Sequence, residues 1–344
     1  MATLTNKYGM PGPVVQAVER DPYTHGKADI STTTLIAPPR IRQLRRRYDE
    51  FITEDVTDRI WSLVGQVGHA ILERAAGKRH AGEVIERIAA VLGSSEGGPR
   101  TKLAQIEGAV KRFLAPEDGL IIERRFYMER QGWVISGQMD LLRSDASERW
   151  GINDYKFTSV WSVIRGGKEE WASQLNVYAH LARENGIDPR DLTIIPIFRD
   201  WKKGDMRKAR LTGDNYPDKQ IIRFPIEMWS PERTEEYILE RLQMHQDAER
   251  QRTGSLPFCT DKDRWLYGTT WAIKKKGGKR ALSGSVSDTF EAAKEFLESL
   301  GDEKKGDHYI EKREGTPIRC IDYCNAAPFC TQHQEWEAAN TSNN

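Results

Sequence analysis

The sequence predicts an α/β fold, a mixed β-sheet flanked by helices, followed by a cysteine-bearing C-terminal region. Helical and strand periodicities alternate in the order helix, strand, strand, strand, helix, strand up to Phe198, a layered α/β pattern. The apolar runs are short and bounded by turn residues, and none approaches the ~18 residues a membrane helix needs. All four cysteines, Cys259, Cys320, Cys324 and Cys330, lie in the last quarter. A chain of 344 residues can bury a sizeable core and hold two domains. The expected organisation is an N-terminal arm with a basic helix at 1–50, a core at 51–255, a cysteine region at 256–335 with an inserted hairpin and helix at 263–315, and a tail at 336–344.

Residues 1 to about 30 are rich in Gly, Pro and polar side chains and read as an extended arm. Arg40 to Tyr48 reads as a helix of dense positive charge, with Arg45 and Arg46 as candidates for phosphate contact and a solvated face as the alternative. Asp55 to Ala76 is helical, with Val64, Val67, Ile71 and Leu72 on one side and His69 and Glu73 four apart on one face. Helices are expected at 81–92 and 101–114, around the glycine-rich loop 93–99. Ile121 to Met128 and Gly132 to Leu142 read as paired strands around a short polar turn. A strand carrying Asp154-Tyr155-Lys156 and a helix carrying Gln174 and Tyr178 follow. Asp191 to Phe198 is a further strand, in which Pro196 suggests an edge or a bulge. Ser230 and Pro231 supply an N-cap and a first-turn proline for a long polar helix ending near Gly254. The run Trp271 to Arg280 reads as a hairpin with glycines at its tip, where Lys275 is a candidate for phosphate contact or part of a charged, aggregation-resistant edge. Asp288 to Leu300 is a short helix.

Charged residues make up 30% of the chain, yet the net charge is only +1, so a polybasic tail is excluded as the main device while local basic patches are not. Those patches are 40–47, 202–210 and 274–280. No secretory signal opens the sequence, and a cytoplasmic protein without membrane partners is expected. No internal repeat, Walker loop or dinucleotide fingerprint is present.

The chemistry concentrates at Asp140, Asp154 and Lys156. Two adjacent strands, one ending in Gly137-Gln138-Met139-Asp140 and one carrying Asp154-Tyr155-Lys156, can place two acids and an ammonium around one point. Side chains at i and i+2 share a strand face, so Lys156 lands beside Asp154. Two carboxylates suit Mg²⁺ or Mn²⁺, with waters and substrate phosphate completing the shell. A lysine there can orient or deprotonate a water, or neutralise charge growing on a phosphate.

Taken in order, His69 on its helix, Gly137 to Asp140, Asp154 to Lys156, and Gln174 with Tyr178 resemble the motifs of the PD-(D/E)XK nuclease superfamily. More narrowly they resemble the RecB-type exonucleases, a clade that includes AddB and the CRISPR-associated RecB-like nucleases. The likeness spans roughly residues 60 to 200, and the motifs are individually short; their order makes them specific. It implies a restriction-endonuclease-like sheet, with His69, Asp140, Asp154 and the Tyr155 carbonyl holding the metal. It also implies Lys156 as catalytic and Gln174 and Tyr178 as supporting the site or touching DNA.

In a cytosolic chain, clustered cysteines argue for metal rather than disulfides. Four thiolates suit a [4Fe–4S] cluster or a tetrahedral zinc. The same clade carries an iron–sulfur cluster, and by that resemblance Cys259, Cys320, Cys324 and Cys330 would ligate it. Two departures keep zinc open, with His333 as a spare ligand: Cys259 lies after the nuclease motifs rather than before them, and the gap from Cys320 to Cys324 is one residue longer than usual. The expectation is a Mg²⁺- or Mn²⁺-dependent deoxyribonuclease, exonuclease in preference to endonuclease, acting in DNA recombination, repair or replication, alone or beside a helicase or recombination partner. The alternative is a DNA-binding or assembly module that has the fold and the metal staple but does not cleave.

Overall fold

The computed structural model describes residues 3–19, 26–75, 119–144, 149–278, 280–301 and 305–341. The helices expected at 81–92 and 101–114 and the loop between them lie outside the described residues. The chain divides into two compact units. One comprises Leu4–Ala37 with Asp55–Gln246, the other Met1–Thr3, Pro38–Glu54 and Asp247–Asn344. In chain order the strands are β1 (Thr3–Thr5), β2 (Ile30–Ser31), β3 (Thr53–Asp55), β4 (Leu120–Arg130), β5 (Trp133–Ser144), β6 (Trp150–Thr158), β7 (Pro189–Phe198), β8 (Phe224–Ile226), β9 (Leu266–Tyr267), β10 (Thr270–Lys275), β11 (Ala281–Ser287), β12 (His308–Arg313) and β13 (Thr316–Pro317).

The first unit is built on a six-stranded mixed sheet, β2-β5-β6-β7-β8 with β4 paired to β5. β4 and β5 form an antiparallel hairpin whose tip, Gln131 and Gly132, has φ of 49° and 74°, the left-handed pair that a two-residue turn requires. β6 and β7 are parallel, so a crossover must join them. It contains the helix Glu169–Glu184, with Glu169 and Glu170 in its first turn and Arg183 in its last, the signs that its dipole favours. The helix buries Trp171, Leu175, Tyr178 and Leu181 against the sheet, into a core shared with Ile135, Met139, Leu142, Ile152 and Ile194. Gly137 permits this approach, because a Cβ there would lie 2.7 Å from the Tyr178 ring and 2.8 Å from Leu181.

β5 changes neighbours along its length, and this positions the site. On one side it pairs with β4 from Leu120↔Arg143 to Arg130↔Trp133. On the other it pairs with β6 at residues 141–144 and with β2 at Ile135 and Ser136. Residues 137–140 lie at the fork between them. The inward phase also shifts there. A regular strand buries alternate side chains, yet β5 buries Ile135, Gly137 and Met139 and then Leu142, while β4 buries Met128 and Phe126 and then Ile121. Both strands slip by one at the same level, where Glu123 takes φ 47°.

Four sequence expectations need revision. Gly12–Glu19 is a helix rather than part of an extended arm, and it buries Val18. The apolar side of the helix at 60–75 is largely exposed, with Val64, Val67 and Ile71 at 40%, 50% and 57%. Pro196 lies in an interior strand, opposite Lys156, but beyond the stretch of β7 that β8 pairs, so its missing N–H costs no β8 bond. The basic helix Pro39–Tyr48 groups with the cysteine region rather than with an N-terminal arm.

In the second unit the expected hairpin is β10–β11, and β12 adds to the other edge of β10. The helix Phe290–Ser299, N-capped by Thr289, buries Ala293. Pairing of β9 with β13 closes the insertion at its base, through Thr316↔Tyr267 and Pro317↔Leu266.

The helix at 60–75 offers a paired test of packing. A Cβ at Gly68 would come within 2.0 Å of the Phe157 ring, whereas one at Gly65 meets nothing within 4 Å. Gly68→Ala is expected to destabilise by about 1–3 kcal/mol. Gly65→Ala should be neutral or stabilising by up to about 1 kcal/mol. Urea melts of the two variants would check both signs.

Candidate functional site

The β5–β6 ladder ends at Leu141↔Asn153. One step further would set Asp140 against Asp154, and there the strands part. The Tyr155 N–H turns instead to the Asp140 carboxylate, at 2.8 Å from Oδ2. On the other side, Ile122↔Leu141 and Arg124↔Met139 bracket Glu123, which places it level with Asp140. Glu123 and Asp140 therefore come from neighbouring strands at one level of the sheet. The left-handed backbone at Glu123 costs energy for a residue with a Cβ, and such strain gathers at functional positions.

His69 reaches this point from the helix at 60–75, which the Gly68–Phe157 contact seats on β6. Its Nδ1 is 3.4 Å from Asp140 Oδ2 and 4.0 Å from Glu123 Oε1. One ligand atom from each of His69, Glu123 and Asp140 falls within 4.8 Å of the others, a set that could hold a metal ion. Leu72, Ile122, Leu141 and Tyr155 help to line the same cleft. Glu123 is held by Gln138 Nε2 at 2.8 Å, and Arg125 in turn donates to Gln138 Oε1 at 2.6 Å and to Ser136 Oγ at 3.1 Å. Lys156 Nζ lies 2.6 Å from Asp154 Oδ2, as the i, i+2 spacing predicts.

Electrostatics set this site apart from a surface cluster. Burial, then the neighbouring Asp154 charge, push the Asp140 carboxyl up to about 8, against the pull of Lys156 and the Tyr155 N–H. Burial also raises Glu123; Gln138 opposes the rise and Glu73 and Asp154 add to it. Burial and the Lys156 charge lower His69, while Asp154 and a backbone bond with Tyr155 oppose them. Burial would lower Lys156, but Asp154 and Asp140 outweigh it and hold the ammonium charged. Among the described residues the three strand carboxylates Glu123, Asp140 and Asp154, with Glu73 beside them, meet one ammonium, which leaves a deficit of positive charge. A neutral imidazole with two carboxylates is a donor set suited to a divalent cation.

Compared with the sequence reading, His69 and Asp140 converge, and it is the Tyr155 N–H, bonded to Asp140, that meets them. Asp154 is 2% exposed and stands outside the 4.8 Å group, held by Lys156. Glu123 takes its place among the converging ligand atoms, and no short motif marked it. Gln174 and Tyr178 are buried, and Gln174 Nε2 donates to Tyr178 Oη at 2.9 Å. With the Tyr178 ring against Gly137, they brace β5 rather than offering a surface to DNA.

The four cysteines line one cavity in the second unit, together with Arg40 and Arg264. Gln332 clamps the Cys259 backbone, accepting its N–H at 2.9 Å and donating to its carbonyl at 2.8 Å. The Arg319 N–H donates to the Arg264 carbonyl at 3.0 Å, fixing the segment that carries Cys320. Arg40 departs from the rest of the basic helix, being neither solvated nor free for phosphate. It is 1% exposed and donates to Cys330 Sγ at 3.1 Å, the Leu256 carbonyl at 2.8 Å and Thr331 Oγ1 at 2.6 Å. Arg264 is 5% exposed and pairs with Glu314 through Nη1 at 2.6 Å. Its Nε and Nη2 are buried without a conventional hydrogen-bond partner, beside Cys320. Burial, then Asp263 and the other thiols, push Cys259 up to about 12, and burial and Cys324 raise Cys320 against the pull of Arg264. These thiols need an added cation to ionise together. Cysteine thiolates ligate zinc and iron–sulfur clusters alike, and the lining of this cavity offers donors for either group.

Arg45 is exposed and donates to Asn325 Oδ1 at 2.7 Å; Arg46 is exposed and pairs with Glu249. Lys275 is exposed on β10. Among the described residues no helix is long and apolar enough to cross a membrane.

No family model and no curated protein matches the chain. A solved structure titled "Crystal structure of SSO0001" is 13% identical, with the alignment covering 69% of this chain and 87% of that one at a TM-score of 0.38. A likeness at that level carries no argument about function.

The raised Asp140 carboxyl gives a pH signature. With its folded value near 8 and its unfolded value near ~3.9, the protonated form stabilises the fold. That contribution is complete below the unfolded value and is lost as pH rises through about 8. The melting temperature of chelator-treated protein is expected to fall between about pH 4 and 8 and to level off above that, and Asp140→Asn should flatten the slope. Mn²⁺ needs the ionised form, so its affinity should rise over the same interval. Melting curves with and without Mn²⁺ across that range check both trends.

Proposed function

We propose that this chain is a metal-dependent DNA nuclease of the PD-(D/E)XK, RecB-like kind, with a restriction-endonuclease-like sheet and exonuclease rather than endonuclease activity. The observation that carries this reading is the meeting of His69, Glu123 and Asp140 within 4.8 Å, beside the Asp154–Lys156 pair. A bound Mg²⁺ or Mn²⁺ would acidify water and neutralise phosphate charge. His69, Glu123 and Asp140 would hold it, with the Tyr155 carbonyl adjacent.

Hydrolysis adds water across one P–O bond, and negative charge grows on the phosphoryl oxygens and the leaving oxygen. Lys156 is the one cation of this group and stays protonated, so its role is to hydrogen-bond to that growing charge. Asp154 keeps the ammonium charged and aimed. Gln138 and Arg125 fix Glu123, which limits its reorganisation as charge develops.

The second unit would carry a [4Fe–4S] cluster on Cys259, Cys320, Cys324 and Cys330, in preference to zinc. The two buried guanidiniums beside the thiols support an anionic tetrathiolate centre, and the preference for iron–sulfur over zinc rests on the resemblance to the RecB-like clade. The group would staple the C-terminal segment and add to folding stability.

One preparation tests both parts. Anaerobically purified protein should be coloured and contain about four iron per chain. With Mn²⁺ or Mg²⁺ it should shorten labelled DNA from an end. Asp140→Ala and Lys156→Ala should each lower the rate by at least about 10²-fold, and Glu123→Gln should do so comparably. Equal cleavage by wild type and variants would sink the nuclease reading; DNA binding without cleavage would favour the assembly module. Colourless protein with stoichiometric zinc would sink the cluster.

A further inference from the structure

Two tryptophans at one end of the first unit stand largely in water. Trp61 and Trp161 expose 60% and 56% of their surface, which forfeits the burial that large aromatics normally gain. Their settings are ordered. Trp61 is seven residues before Gly68 and so lies on the same helix face, the face that packs on Phe157 of β6. One residue past Phe157, the Thr158 carbonyl accepts the Arg199 N–H at 3.0 Å. The Arg199 guanidinium lies over the Trp61 ring, 4.4 Å from its centroid. Asp200 ties down the other tryptophan, accepting from Ser159 Oγ at 2.5 Å and from the Val160 N–H at 2.8 Å. Ser159 Oγ accepts the Trp161 N–H at 3.3 Å. Thus hydrogen bonds fix the turn that carries one exposed indole to the segment that carries an exposed arginine, which stacks on another indole.

Resting on the nuclease reading, we propose that Trp61, Arg199 and Trp161 form a stacking platform for the unpaired bases of single-stranded DNA. Every base has a π-face, so aromatic and guanidinium planes bind single strands without regard to sequence. Bases in a duplex stack on each other and present no face to an indole. Arg199, with exposed Lys202 and Lys203 just after it, supplies the positive charge that phosphates require. The spacing suits a strand running to the acids. Trp61 and His69 are eight residues apart on one helix, about 12 Å along its axis, so a strand on the platform reaches the acids within a few nucleotides.

The test uses the full chain with chelator present to block cleavage. Binding of a labelled oligothymidylate and of a blunt duplex is read by fluorescence anisotropy, and cleavage is assayed separately with Mn²⁺. Trp61→Ala and Trp161→Ala should each weaken single-strand binding by about tenfold and leave duplex binding unchanged. Trp61→Phe and Trp161→Phe should stay within about twofold of wild type, because the ring is kept. Should an alanine variant fail to fold, photocrosslinking of an iododeoxyuridine-substituted strand to the wild type decides. Adducts on Trp61 or Trp161 support the platform, and adducts confined to other segments overturn it. Wild type that cuts DNA while both alanine variants bind single strands undiminished overturns the platform and leaves the nuclease reading standing. Equal losses for single strand and duplex also overturn it. Wild type that neither binds nor cuts DNA sinks the nuclease reading and the platform together.

Discussion

Three carboxylates share one ammonium where the sheet forks, and much of the first unit is arranged around that imbalance. Glu123, Asp140 and Asp154 come from three neighbouring strands, and Lys156 answers only one of them directly. Paired β-ladders would have closed this level of the sheet. Instead the β5–β6 ladder stops one residue short, Asp140 captures the Tyr155 N–H, and Glu123 takes a backbone conformation that side chains rarely adopt. Each departure has an energetic cost in the absence of a cation. Packing that is indifferent to the site supplies the offset, through Gly137 against Tyr178 and Leu181, and Gly68 against Phe157.

The second unit repeats the logic with opposite sign. Two guanidiniums are buried beside four thiols, and Arg264 leaves two nitrogens, Nε and Nη2, without a conventional partner. Glu314 answers one end of the Arg264 guanidinium, and Arg40 is held by a carbonyl, a hydroxyl and the Cys330 sulfur. The rest of the Arg264 guanidinium lies beside Cys320, where an ionised sulfur would serve it. The β9–β13 pairing and the Gln332 clamp then explain how Cys259 and Cys320, far apart in sequence, reach one cavity.

The legible residues were those with short, ordered spacing. Asp154 and Lys156 were fixed by strand alternation, and His69 and Asp140 by their place in a four-part order. Glu123 carries no motif. Its signal was the hairpin register, since a two-residue turn at Gln131-Gly132 sets every later pairing and puts Glu123 level with Asp140. Arg40 was illegible for a different reason. A run of arginines on a helix looks solvated, and only tertiary packing reveals that Arg40, with Ile41 and Leu44, lies on the buried face. The exposure of Val64, Val67 and Ile71 was equally hidden, because an apolar stripe does not say whether anything covers it.

The most direct test of the metal site is anomalous diffraction at the manganese edge from crystals soaked in MnCl₂. A peak about 2.0–2.3 Å from His69, Glu123 and Asp140 is the expected result. A map with no peak there, or with manganese only at remote surface acids, would contradict the assignment of these residues as a catalytic metal site.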